Sequence, residues 1–195
     1  MEGKANVSGR KSQKGKEFKP SQVSMDKGKA PFLKSIDLNG FKTFVSPTHL
    51  EFAQGLNAVL VSQKYPVPSG LWDLFDAIRW VFRTKQLHGT GILFETASAE
   101  VKLTVVDEEG KELSMTGRVS KGNDEEFVTN ASQDEVSRLK MFLLSDSDKS
   151  ISFGSTEIVA VYNDKPLAMQ ADAMIGITTD EAGLSKASVL LRKGN

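Results

Sequence analysis

The run Leu56 to Val61, LNAVLV, constrains the fold most. All but one of its residues are apolar, as expected for a strand buried on both faces of a sheet. Pro66 and Pro68 then keep residues 65 to 68 out of helix. Ser69 reads as a helix N-cap, and Leu71, Leu74, Phe75, Ile78 and Phe82 recur at helical spacing. Trp80 falls on the opposite side, so this helix is also expected to bury more than one face. A covered strand, a loop and a two-faced helix predict a layered α/β body.

Other segments read mainly as strands. FLKSIDLNGFKTF alternates, with Phe32, Lys34, Ile36 and Leu38 on one side of the pleat. THLEF is a short strand. After a loop at LHGTG, AEVKLTVVDEEGKELSMTGRVSK predicts a hairpin turning at DEEGKE, and EEFVTN a third short strand. SQDEVSRLKMFLL predicts a helix started by Ser132 or Gln133, with Val136, Leu139, Met141, Phe142 and Leu143 on it. ISFGSTEIVAVY is apolar and β-branched, and PLAMQADAMIGI reads as a helix opened by Pro166. No internal repeat or heptad run is present.

The charge is unevenly placed. Residues 1 to 30 hold eight Lys and Arg against three Asp and Glu, a surplus of five, inside a chain of zero net charge. This stretch has one aromatic residue, Phe18, and is predicted to be a disordered basic tail on an acidic body spanning 31 to 195. Arg10, Lys11, Lys14, Lys16 and Lys19 could hold a nucleic-acid backbone by charge neutralisation, although a solubilising extension is the preferred reading. The chain has no cysteine, which excludes disulfides and thiolate metal sites and fits a reducing, intracellular compartment. No apolar run is long enough for a membrane helix, and the first thirty residues lack a secretory h-region.

Four stretches, in order, resemble the N-terminal half of an SMC-family (ABC-type) ATPase head. Gly40-Phe41-Lys42-Thr43-Phe44 is similar to a Gly-Phe-Lys-Ser-Phe motif. GLNAVLV…DAIRWVF resembles the Walker A strand, loop and helix. EEFVTN falls at a Tyr-x-Ile-Asn-Gly element. SISFGSTEIVAVYNDKP…TTDEAGL resembles the segment from the Q-loop onward, keeping Gly154, Ile158, Lys165, Pro166, Ala182 and Gly183. The resemblance covers residues 31 to 192 and implies mixed β-sheets packed on a P-loop-type helix. It also implies half a head, because the family's signature motif and Walker B acids lie in a C-terminal half beyond a coiled coil and hinge.

The departures are as informative. A P-loop needs glycines that admit phosphate to backbone N–H groups, a lysine for the β/γ oxygens and a hydroxyl for magnesium. The resemblance puts Leu71 at the lysine position and Trp72 at the hydroxyl position; only Ser69 and Gly70 match. The loop is about four residues longer than usual in the family, and Tyr65, Val67 and Pro68 replace its opening glycines. The Q-loop glutamine falls at Ser155, and an arginine of a Leu-Arg-Gly element at His88. The site is thus expected to be degenerate, with no catalytic residue, metal or cofactor.

Leu71 and Trp72 are expected to plug the former phosphate pocket rather than face solvent. His88 and His49 read as ordinary loop histidines, DEEGKE as a solvated hairpin tip and SDSDKS as a flexible loop rather than metal sites. No Ser/His/Asp arrangement is apparent. The sequence thus predicts a non-catalytic, SMC-like binding subunit of a larger assembly. Its expected partner is a copy of itself, an SMC-type ATPase or another subunit. The alternative is an ATPase subunit completed in trans by a partner half-head; a third reading is a scaffold recruited to an unrelated complex.

Overall fold

A computed structural model describes residues 30–60, 69–87, 89–94, 96–122, 124–147, 149–162 and 165–192. In chain order they form β1 (Phe32–Asn39), β2 (Thr48–Glu51), β3 (Gly55–Leu60), α1 (Ser69–Val81), α2 (Gly89–Ile92), β4 (Ser98–Val106), β5 (Glu112–Ser120), β6 (Glu125–Thr129), α3 (Gln133–Lys140), β7 (Leu143–Ser147), β8 (Ser150–Phe153), β9 (Thr156–Val161), α4 (Lys165–Gln170), β10 (Ala173–Thr179) and β11 (Ser185–Leu191). One sheet has the order β2-β1-β4-β5-β6, the other β11-β10-β3-β9-β8-β7. The first is antiparallel throughout. The second is mixed, with β3 parallel to both β10 and β9. The α/β class is therefore observed, with one mixed sheet and one antiparallel sheet.

The central helix α1 lies between the sheets, touching β4 and β5 on one side and β10 and β11 on the other. A thirteen-residue helix is marginal alone, so packing must hold it. Leu71, Leu74, Phe75, Ala77, Ile78, Trp80 and Val81 are all buried. Burying each large apolar side chain contributes about 1.5–3 kcal/mol, far more than propensity differences of a few tenths. Trp80 faces the antiparallel sheet: its ring meets Phe127 edge-on at 5.4 Å and Phe41 at 5.6 Å. The helix ends in a Schellman turn. The Thr84 N–H donates to the Arg79 carbonyl and the Arg83 N–H to the Trp80 carbonyl. Arg83 therefore sits at φ +57°, a left-handed conformation that costs an L-residue roughly 1–2 kcal/mol.

The sheets join at two seams. At one, the Leu33 N–H donates to Thr156 Oγ1 at 3.0 Å and the Ser155 N–H to the Pro31 carbonyl at 2.9 Å. At the other, the Ser185 N–H donates to the Thr43 carbonyl at 2.8 Å, and β11 lies beside β2.

Several elements differ from the sequence expectation. The pairing of β1 with β4 shifts register between Leu33 and Ser35, so Leu33 is buried while Phe32 and Lys34 are not. The bulge ends the single alternating face predicted from Phe32 to Leu38. Helix α1 begins at Ser69 itself, one residue earlier than a Ser69 cap requires. LHGTG is not all loop, since Gly89–Ile92 forms α2. Ser132 does cap α3, with a reciprocal Glu135 bond, but the helix stops at Lys140. Met141 is exposed, and Leu143 enters β7, which takes in the start of SDSDKS and pairs with β8. PLAMQADAMIGI splits into α4 and β10. Asp172 decides the split: its N–H donates to the Leu56 carbonyl and its carboxylate accepts from the Leu56 N–H, which starts β10 alongside β3. The 1–30 tail and the loop at 61–68 lie outside the described residues, apart from Ala30.

Trp80 leaves no room opposite it. A Cβ on Gly117 would stand 2.8 Å from the Trp80 ring. Gly117→Ala is expected to cost about 1–3 kcal/mol through overpacking. Urea unfolding should show a lower midpoint with an unchanged slope.

Candidate functional site

The first candidate is the N-terminal turn of α1, where chain leaving β3 returns into the helix. A helix start offers free N–H groups and a positive dipole end, and an anion site adds a cation or hydroxyl to them. Among the described residues, Leu71 and Trp72 supply neither. Gly70 packs so closely that a Cβ would lie 2.4 Å from Ser185 Oγ and 2.9 Å from Ile177 Cγ2. Leu71 is fully buried within the main core. Trp72 is half-buried, packed against that core and edge-on to Phe75 at 6.4 Å. Leu71 thus fills space as a plug would, and Trp72 is only partly covered.

Ser155 is not part of this end. The Gly55 N–H donates to the Ser155 carbonyl at 2.7 Å, which fixes Ser155 at the start of β3. Gly70 instead contacts Ile177, one residue beyond the Gly176–Leu60 pair at the strand's other end. A six-residue strand separates them, on the order of 17 Å. Phe153, two residues before Ser155, stacks on Phe82 just past the C-terminal end of α1 at 5.1 Å. The Ser155 hydroxyl is buried without a hydrogen-bond partner. His88 lies outside the described residues, as do Arg10, Lys11, Lys14, Lys16 and Lys19.

A second group was not singled out from the sequence. Asp73, Asp76 and Arg79 are each 6% exposed and repeat every three residues along α1. They receive the turn Gly40–Phe44, in which Gly40 and Lys42 are left-handed, at φ +68° and +48°. Lys42 Nζ donates to Asp76 Oδ2 at 2.6 Å and lies 3.4 Å from Asp73. Thr43 donates to Asp73 through both its N–H and its hydroxyl. Lys85 Nζ donates to Asp76 Oδ1 at 2.6 Å, and Arg79 donates to the Ser147 carbonyl at 2.5 Å. Burial pushes the Asp76 carboxyl up, but the hydrogen bonds from Lys42 and Lys85 outweigh it and hold it below its ordinary range. These carboxylates fasten a turn to a helix. Among the described residues, no group of three or more His, Cys, Asp or Glu is placed to hold a metal ion. The available sequence signal was charge at a three-residue spacing inside an otherwise apolar helix.

Asp76→Asn should strand Lys42 and Lys85 against a neutral amide, costing about 1–3 kcal/mol at pH 7 in urea denaturation. A carboxyl held low in the folded state stabilises above its unfolded value, about pH 4, and loses that contribution as pH falls through the folded value. Asp76→Asn should therefore flatten the acid limb of the stability curve.

No family model matches this chain. It is similar to the chromosome partition protein Smc of Mycolicibacterium paratuberculosis, 33% identical over 135 residues, covering 60% of this chain and 11% of that protein. It is 28% identical over 182 residues to the Smc of Bacillus subtilis, covering 83% of this chain and 15% of that protein. The chain thus spans only 11–15% of the length of these relatives. Among solved structures, an Smc head bound to the C-winged helix domain of ScpA superposes with a TM-score of 0.60 at 11% identity, over 82% of this chain and 98% of that one. The SMC head domain from Thermotoga maritima gives 0.58 at 14% identity, over 83% and 99%. At those identities the structural likeness speaks for the fold alone. By sequence the chain is similar to Smc proteins, and its fold is that of SMC head domains.

Proposed function

We propose that this chain is a non-catalytic SMC-type head that works by binding, as a subunit of a chromosome-associated, intracellular assembly. The burial of Leu71 carries the reading. The position that the resemblance assigns to the phosphate-binding lysine holds an apolar side chain packed in the core, and the next position holds a half-buried tryptophan. Neither can neutralise phosphate or ligate magnesium. Among the described residues, no helix is long and apolar enough to cross a membrane.

A protein partner is part of the proposal. On the face of the six-stranded sheet opposite α1, Leu60 and Leu190 are 38% and 62% exposed, and the short helix α4 adds Met169 at 71%. Apolar groups shared across one face in this way favour protein contact. That an Smc head has been solved with a ScpA domain supports the same direction.

Calorimetric titration of the intact protein with Mg-ATP should give no saturable heat. Micromolar affinity would overturn the non-catalytic reading in favour of an ATPase completed in trans. The basic N-terminal segment is proposed to add a nucleic-acid contact. Deleting residues 1 to 30 should weaken duplex DNA binding and flatten its dependence on salt. Unchanged affinity and slope would remove that part of the proposal.

A further inference from the structure

The C-terminal end of α1 carries a feature that packing does not explain. A Schellman turn favours glycine at the left-handed position, and Arg83 occupies it at φ +57°. An L-residue kept in that conformation points to a use for its side chain. The Arg83 guanidinium lies over the Phe127 ring, 4.9 Å from its centroid. Among the described residues it makes no ion pair or hydrogen bond, although Glu125 is close by on β6. Lys85 is committed to Asp76. Arg83 is thus a stacked cation whose five N–H donors have no protein partner among the described residues.

It opens onto a cleft of about 280 Å³ between the end of α1 and β6. Phe127, Leu87 and the edge of the buried Trp80 give this cleft an apolar side, while Arg83, Lys85, Gln86 and Glu125 give it polar groups. We propose that the cleft binds a small molecule with a flat apolar body and one oxyanion, a carboxylate or phosphate. The body lies against Leu87 and the exposed part of Phe127, beside the buried Trp80, and the oxyanion takes the fork of Arg83. Stacking on the Phe127 ring holds the guanidinium in place, which lowers the ordering cost of that contact. The helix C-terminus opposes an anion, but the Schellman bonds already occupy the carbonyls of Arg79 and Trp80. The thirteen residues of α1, about 18 Å, separate this cleft from the helix start discussed above, so the inference does not depend on any nucleotide reading.

The test follows the indole N–H signals of the protein's two tryptophans by NMR, with Trp72→Phe assigning them. The probes are benzoate, phenyl phosphate and the neutral isostere benzamide. The expected result is a saturable shift of the Trp80 signal with benzoate, phenyl phosphate or both, at least tenfold weaker with benzamide. Preference between the two anions identifies the oxyanion. Arg83→Gly relieves the left-handed strain, so its Tm should not fall by more than about 2 °C while binding is lost. Arg83→Lys should keep the charge and bind more weakly than the wild type. Absence of saturable shifts, equal shifts with benzamide, or full binding by Arg83→Gly would overturn the proposal. So would a large drop in Tm for Arg83→Gly, which would make Arg83 a structural residue.

Discussion

The ion pair between Lys42 and Asp76 holds together what the rest of the molecule needs held. α1 is covered by a sheet on each side, so its charged residues cannot all reach water. A carboxylate in that position costs several kcal/mol if unpaired. Lys42, Lys85 and Thr43 satisfy Asp76 and Asp73 and in doing so pin the Gly40–Phe44 turn to the helix. The same turn accepts a bond from Ser185 at the start of β11. One charged cluster therefore sets the helix, the turn and the edge of the second sheet relative to each other.

This accounts for the contrast between the two ends of α1. The N-terminal turn is filled for packing: Gly70 is pressed against β10 and β11, and Leu71 is in the core. The C-terminal turn carries a strained arginine and a cleft. An α/β scaffold of this kind usually offers its chemistry where strands hand over to helix N-termini. Here, among the described residues, a cleft lined by Arg83, Lys85, Gln86 and Glu125 lies at the opposite end.

Much of the fold was legible because its signals are local. The apolar run of β3, the helical recurrence from Leu71 to Phe82 and the alternation in the β4–β5 hairpin each follow from side-chain periodicity. The misreadings share a cause. Leu33 is buried because a bulge turns it toward Thr156, 123 residues away. Residues 173–179 became a strand because Asp172 binds Leu56 across 116 residues. Leu143 left the helix because β8 was available to pair. Long-range partners override a short apolar segment's own preference.

For the candidate site, the sequence by itself determined that Leu71 carries no charge and Trp72 no oxygen at the positions that the resemblance assigns to the lysine and the hydroxyl. It also determined that α1 would be buried on two faces, since Trp80 stands opposite the other apolar residues. Tertiary structure alone decided the rest. It set Ser155 at the far end of β3 from Gly70, because strand pairing, not sequence order, fixes which end a turn occupies. It joined Asp76 to Lys42 and Lys85, and laid Arg83 on Phe127, because those partners lie on different elements whose meeting depends on the whole core.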